Sequence, residues 1–178
     1  FDRLAFVFLD KKPHDANLYI QVLGLQNNKR VYKWVRRDYI SEHVSLPKYK
    51  VFVSKSNGAS GTLFDAAARM ISSPLLGTPF VGTTQTFITI GAFDTKGEAN
   101  AVLKYICSKF ARVLLGVLKV TQDNTSEKWL YVPLQDFTPA SDIDWSQSIR
   151  EIDQQLYKKY GLDETEIEFI ESHVKELE

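Results

Sequence analysis

Residues 96–120 constrain the fold more than any other stretch of the chain. At about 100° per residue, Ala99, Val102, Leu103, Ile106, Phe110, Val113, Leu114 and Val117 fall on one half of a helical cylinder. Lys104, Lys109, Arg112 and Lys119 fall on the other half. The pattern predicts one long helix, Lys96–Val120, with an apolar side that must be covered and a basic side that meets solvent or a polyanion. The run just upstream, Phe80–Ile90, is rich in β-branched and aromatic residues and predicts a strand able to cover it. Pro74, Gly77 and Pro79 separate that strand from the preceding chain.

The remaining patterns complete an α+β reading. Leu18–Leu25 and Arg30–Arg37 alternate on either side of Gln26-Asn27-Asn28, which predicts a β-hairpin. Lys50–Ser54 reads as a strand, Lys55–Gly61 as a loop and Thr62–Ile71 as a short helix. Phe1–Leu9 reads as a short strand, and Trp129–Leu134, which contains Pro133, as an edge strand. Past Pro139 the character becomes helical. Asp144 is the expected cap of a helix with the stripe Ile149, Ile152, Leu156 and Tyr160, closed by Gly161. Asp163 and Glu166 form a capping box for a second helix with the stripe Ile167, Ile170, Val174 and Leu177. The expected architecture is a small, mostly antiparallel sheet packed on one long amphipathic helix, followed by a C-terminal α-helical hairpin. The expected division falls between residues 1–140 and 141–178.

Bulk properties narrow the class. A chain of 178 residues, 44% apolar and 25% charged, buries one good core and is too apolar for intrinsic disorder. No apolar run approaches the ~20 residues of a membrane helix. The single cysteine, Cys107, excludes an internal disulfide and a cysteine zinc cage, and its position near the apolar stripe predicts a buried small side chain. A reducing, cytoplasmic location fits this usage. The chain opens on Phe1-Asp2-Arg3 without a methionine and is read as part of something longer. Net charge is zero only as a sum of unlike parts. Residues 1–140 hold 18 Lys/Arg against 11 Asp/Glu, and residues 141–178 hold 4 against 11. Such asymmetry suits a basic surface facing a polyanion, with an acidic terminal segment turned elsewhere.

Catalytic patterns are missing. His14, His43 and His173 are scattered, and no nucleophile elbow, P-loop or dinucleotide fingerprint occurs. Gly58-Ala-Ser-Gly61 is a bare Gly-x-x-Gly, and Asp136, Asp142 and Asp144 read as turn and cap residues rather than a metal cluster. The groups that remain suit recognition. Lys55-Ser-Asn57, Thr83-Thr-Gln-Thr86 and Lys119–Asn124 supply amides, hydroxyls and ammonium groups in three separate segments. Taken singly they read as strand and turn residues; taken together with the basic helix they read as a nucleic-acid surface.

An ordered series of segments carries a resemblance. Tyr49–Lys55 is followed by Ser73-Pro74, Gly77-x-Pro79, Thr84–Ile88 and Gly91. Glu98-Ala-Asn, Lys109-Phe-Ala-Arg112, Lys119–Gln122, Val132–Phe137 and Leu156–Leu162 continue it. Over about residues 48–175 the chain resembles the C-terminal region of bacterial type II restriction–modification adenine-N6 DNA methyltransferases; residues 1–47 have no counterpart. In that family an N-terminal catalytic domain binds S-adenosylmethionine and transfers its methyl group, while a C-terminal domain selects the DNA sequence. The Phe-x-Gly-x-Gly and Asn-Pro-Pro-Tyr-type signatures are missing here, since Ser73-Pro74 is followed by Leu75-Leu76. The resemblance therefore implies the specificity module, with no catalytic residue and no cofactor or metal ligand of its own. Its partners would be double-stranded DNA and the catalytic domain of the same chain. It implies phosphate contacts from Lys50, Lys55, Lys109, Arg112 and Lys119, and base-reading or positioning roles for Asn57, Thr84, Gln85, Thr86 and Gln122. A reading from another class makes the chain an assembly module that docks on a catalytic subunit through the acidic terminal helices.

Overall fold

Alternating strands and helical stripes assemble into layers in the computed structural model of the chain, which describes residues 6–56, 68–119, 121 and 123–177. Strand β1 (Tyr19–Gln26) pairs antiparallel with β2 (Lys29–Arg36) around a two-residue turn, Asn27–Asn28. Both turn residues have positive φ, 50° and 59°, a conformation asparagine tolerates and one that matches the twist of the flanking strands. Strands β3 (Tyr49–Ser54), β4 (Leu75–Gly77), β5 (Val81–Thr83) and β6 (Phe87–Phe93) follow. They form two three-stranded sheets, β2-β1-β5 and β4-β3-β6, in which only the β1–β5 pair is parallel.

The predicted Phe80–Ile90 strand is thus two strands in two sheets. The Thr84 amide donates to the Leu23 carbonyl (2.9 Å) and the Phe87 amide to the Thr84 carbonyl (3.1 Å), which turns the chain between them. The Thr84 and Thr86 hydroxyls bond each other at 2.7 Å across this turn. Local hydroxyl bonding of this kind competes with a continuous ladder.

Strand β3 lies at the centre because it is apolar on both faces. Val51 and Val53 pack in one core with side chains from all four helices. Phe52 points the opposite way, into a second cluster with Leu23 and Phe87, to which Leu25, Leu75 and Val81 add. The second sheet is therefore sandwiched between the helices and the first sheet. The first sheet's outer face is covered by a third cluster of Ile20, Val22, Val35 and Leu46, with Val7, Phe8 and Ile40 against it.

The predicted long helix is also two. Helix α1 (Lys96–Cys107) opens on a capping box between Thr95 and Glu98, and α2 (Lys109–Leu118) begins one residue after α1 stops. Ser108 between them is extended, with φ −61° and ψ 148°. Its hydroxyl accepts from the Ala111 amide at 3.1 Å. The Asp153 carboxylate reaches in from a third helix and accepts from the Lys109 amide (3.0 Å) and the Phe110 amide (2.9 Å). The first three amides of α2, which have no partner within the helix, are all satisfied. A break that would expose backbone donors is stabilised by one serine and one remote aspartate.

Helix α3 (Ile149–Tyr160) carries Asp153 and is capped by Ser148 with Glu151, not by Asp144. Asp144 instead accepts from the Ser146 amide in the turn before it. Gly161 ends α3 in the left-handed region, φ 66°, and α4 (Glu164–His173) starts from the predicted Asp163–Glu166 capping box. Both α3 and α4 pack on α2. Residues 130–134 form no strand; Ser126–Trp129 is a 3-10 turn, and the Pro133 carbonyl accepts from the Tyr105 hydroxyl at 2.7 Å. The expected Phe1–Leu9 strand reduces, among the described residues, to a bridge between Leu9 and Trp34. Most of the expected Thr62–Ile71 helix lies outside the described residues; its end, Ala68–Ile71, is not helical, and Met70 has φ 63°. Cys107 is buried, and burial pushes its thiol up to about 11. Among the described residues, no helix is long and apolar enough to cross a membrane.

If Asp153 is what allows the α1–α2 break, Asp153→Ala should cost about 3 kcal/mol of unfolding free energy. Ser108→Ala, the loss of a simple cap, should cost about 1 kcal/mol. Urea denaturation of the two variants checks the order, and an Asp153→Ala loss no larger than that of Ser108→Ala would contradict it.

Candidate nucleic-acid interface

The basic side of the 96–120 region faces inward. Arg112 is 1% exposed, Lys119 2%, Lys50 1% and Lys109 9%. Each serves as an internal donor. Residues 69–71 are irregular chain with Met70 and Ile71 fully buried, and their carbonyls need partners that no ladder supplies. Arg112 Nη1 donates to the Arg69 carbonyl (3.2 Å) and Lys119 Nζ to the Met70 carbonyl. Arg112 Nε also donates to the carbonyls of Cys107 (3.0 Å) and Ser108 (3.2 Å), where α1 ends. Lys50 Nζ, on the Phe52 side of β3, donates to the Ser45 and Leu46 carbonyls at 2.9 and 3.1 Å. Lys109 forms an ion pair with Glu171 of α4. Lys104, on the same predicted basic side, donates to the carbonyls of Trp145, Ser146 and Gln147. The expected phosphate-binding set is corrected accordingly: of its five members only Lys55 is presented to solvent.

Burial has consequences for charge. It draws the Lys50 and Lys119 ammonium groups down to about 8, opposed at Lys119 by the charge of Asp123. Burial also lowers Arg112, a change opposed first by Asp153 beside it. These side chains are committed to buried carbonyls and are not available to an anion outside.

A different set of groups gathers at one end of the two sheets. Strand β3 ends at Ser54, the β5–β6 turn is Thr84–Thr86, and the β1–β2 hairpin closes at Asn27–Asn28. The Lys55 amide donates to the Thr86 carbonyl at 2.9 Å, which fixes the start of the 55–56 segment against the turn. Arg30 Nη2 lies 3.4 Å from the Ser54 hydroxyl, and the guanidinium stands 5.9 Å from the Phe87 ring centroid. That contact ties the hairpin to the end of the second sheet. The Asn124 amide donates to the Lys55 carbonyl (2.7 Å) and Asn124 Nδ2 to the Ser54 carbonyl (3.0 Å), while Ser56 and Asp123 form a bridge. Lys55, Ser56 and Gln85 are exposed, and Arg30, Thr84 and Thr86 are half-buried.

The resulting rim brings together Lys55, Thr84, Gln85 and Thr86 from the sequence expectation and adds Arg30 and the hairpin end. Asn57 and Gln122 lie outside the described residues; their chain neighbours Ser56 and Asp123 are at the rim. Arg30 was hidden in the sequence because it reads as one more polar position of an alternating strand. Among the charged side chains of these segments, Lys29, Arg30 and Lys55 face a single acid, Asp123. Cations beside amides and hydroxyls are the group types that suit phosphates and base edges. Among the described residues no group of three or more His, Cys, Asp or Glu side chains could hold a metal ion. No protein-family model, curated protein or solved structure matches the chain.

The buried lysines predict an alkaline stability profile. An unfolded lysine titrates near 10.4, so between pH 8 and about 10 the unfolded chain binds two lysine protons that the folded chain has lost; the raised Cys107 thiol offsets part of this above about pH 9, and stability still rises with pH. Above about 10 the sign reverses, because burial raises the Tyr105 and Tyr157 hydroxyls and the folded chain then holds the extra protons. Urea midpoints across this range should pass through a maximum. Lys50→Met with Lys119→Met should flatten the rising limb; an unchanged rise in that double variant would contradict the assignment.

Proposed function

We propose that the chain is the DNA-recognition module of a restriction–modification adenine-N6 methyltransferase and that it holds duplex DNA with the rim. The observation that carries this reading is the convergence of Lys55, Thr84, Gln85 and Thr86 with Arg30 at one end of the two sheets. Three of these side chains suit base edges or phosphate through hydroxyl or amide groups, and two carry fixed positive charge. The order of segments described above supplies the methyltransferase context.

Catalysis belongs to a separate domain in this proposal. The chain lacks both methyltransferase signatures, and its two short sheets contain one parallel pair rather than a doubly wound parallel sheet with a nucleotide crevice. S-adenosylmethionine is therefore assigned to the catalytic domain. Methylating an adenine requires extruding it from the duplex, at a cost of a few kcal/mol. A module that holds phosphates and base edges nearby offsets that cost with binding energy and restricts it to the cognate site. A second reading, assembly on a catalytic subunit, is favoured by a groove of about 450 Å³ between α2 and α4, lined by Phe110, Val113, Leu114, Leu162 and Phe169. Both functions fit one molecule, since groove and rim are built from different elements.

Binding of a labelled duplex at a series of salt concentrations tests the proposal. Lys55→Ala and Arg30→Ala should each weaken binding to all sequences and each reduce the salt slope by about 1. Gln85→Ala should leave the slope intact and cost about 1–3 kcal/mol on the cognate site alone. Unchanged slopes in both cation variants would refute the rim as the DNA-binding surface.

A further inference from the structure

The β1–β2 hairpin has a feature its structural role does not require. Pairing of β1 with β5 ends at Leu23–Thr83, whereas pairing of β1 with β2 continues to Gln26–Lys29. The two-stranded ribbon thus runs on for three more residue pairs; Leu25 still packs on the Leu23–Phe52–Phe87 cluster, and the end from Gln26 to Lys29 stands clear of it. Its end carries Asn27 and Asn28, both exposed and both with positive φ. Glycine meets that backbone demand with no steric cost. The chain instead places two carboxamides there, and neither makes a side-chain hydrogen bond to a described residue. Lys29 follows on the exposed shoulder, and Arg30, paired with Leu25 directly behind the tip, fastens the ribbon to Ser54 and Phe87, beside the Thr84–Thr86 turn.

We infer that this ribbon tip enters the major groove of duplex DNA and that the amides of Asn27 and Asn28 read adenine edges there. The inference rests on the DNA-recognition reading above and gives residues 1–47, unmatched by the family resemblance, a part in it. The major groove, about 12 Å wide and 8.5 Å deep, admits a two-stranded β-ribbon. A carboxamide carries one acceptor and one donor side by side, the complement of adenine N6–H and N7. Lys29 then lies where the groove's phosphates pass, and Lys55 and Gln85 meet the flanking duplex. The tip adds selection to that of Gln85, and the rim cations hold the backbone.

The test is selection of duplexes from a randomised pool by the intact protein, with and without Asn27→Gly and Asn28→Gly. Glycine satisfies the turn, so the double variant keeps the fold, its affinity for bulk DNA and its salt slope. The parent should enrich a motif containing A·T pairs, and the double variant should lose its preference at those pairs by about 5- to 100-fold. Placing 7-deaza-adenine at the same positions should reproduce the loss for the parent and leave the double variant unaffected. A double variant that enriches the same motif with undiminished preference would overturn the inference, as would a parent that binds duplexes without preference; in both cases rim binding stands. A parent that binds no duplex at all removes the DNA-recognition reading itself.

Discussion

The Asp153 carboxylate at the start of α2 is the interaction on which the rest of the molecule depends. Burial pushes this carboxyl up to about 6, against the pull of two backbone amides and the nearby Arg112. Those amides, from Lys109 and Phe110, are what make a charged group tolerable at that depth. With the donors satisfied, the chain can stop α1 at Cys107, pass through the extended Ser108 and restart α2 at Lys109. That change turns Arg112 and Lys119 away from solvent and towards the buried carbonyls of residues 69 and 70. The same contact seats α3, because Asp153 sits on its inner side between Ile152 and Leu156, both fully buried.

Turning the basic side inward relocates the surface available for an anionic partner. The helical half of the molecule then presents carboxylates, chiefly on α4, and an apolar groove beside α2. The exposed Lys29, Lys55 and Gln85 gather instead at the ends of the strands, beside the half-buried Arg30. The rim is well placed for a precise task, since every segment in it is fixed by a backbone bond to a neighbour: Thr84 to Leu23, Lys55 to Thr86, Asn124 to Lys55. Recognition groups held on strand ends and a short turn keep their geometry better than groups on long loops.

What could be read from the sequence was what is encoded locally. The β1–β2 hairpin and the Asp163–Glu166 capping box each depend on residues within a few positions of one another, and both stand where the pattern places them. The break at Ser108 depends on Asp153, which lies 44 positions from Lys109, and no local pattern announces it. The split of residues 80–90 was masked because Thr84 and Thr86 are β-branched and read as strand, although their hydroxyls bond each other in a turn. Treating lysine and arginine as markers of solvent misplaced Lys50, Lys109, Arg112 and Lys119. These long side chains reach buried, irregular backbone and satisfy its carbonyls, a demand visible only once the fold brings that backbone alongside. Of the expected site, Lys55 and the Thr84–Thr86 turn come together, while Arg30 emerges only from the packing of one sheet end against the other.

Hydrogen–deuterium exchange of the intact protein with and without saturating duplex DNA distinguishes the rim from the helical half as the DNA-binding surface. With DNA bound at the rim, exchange slows in peptides covering residues 24–30 and 83–87 and is unchanged over α2 and α4. Protection confined to α2 and α4, with the strand ends exchanging as fast as in the free protein, would contradict it.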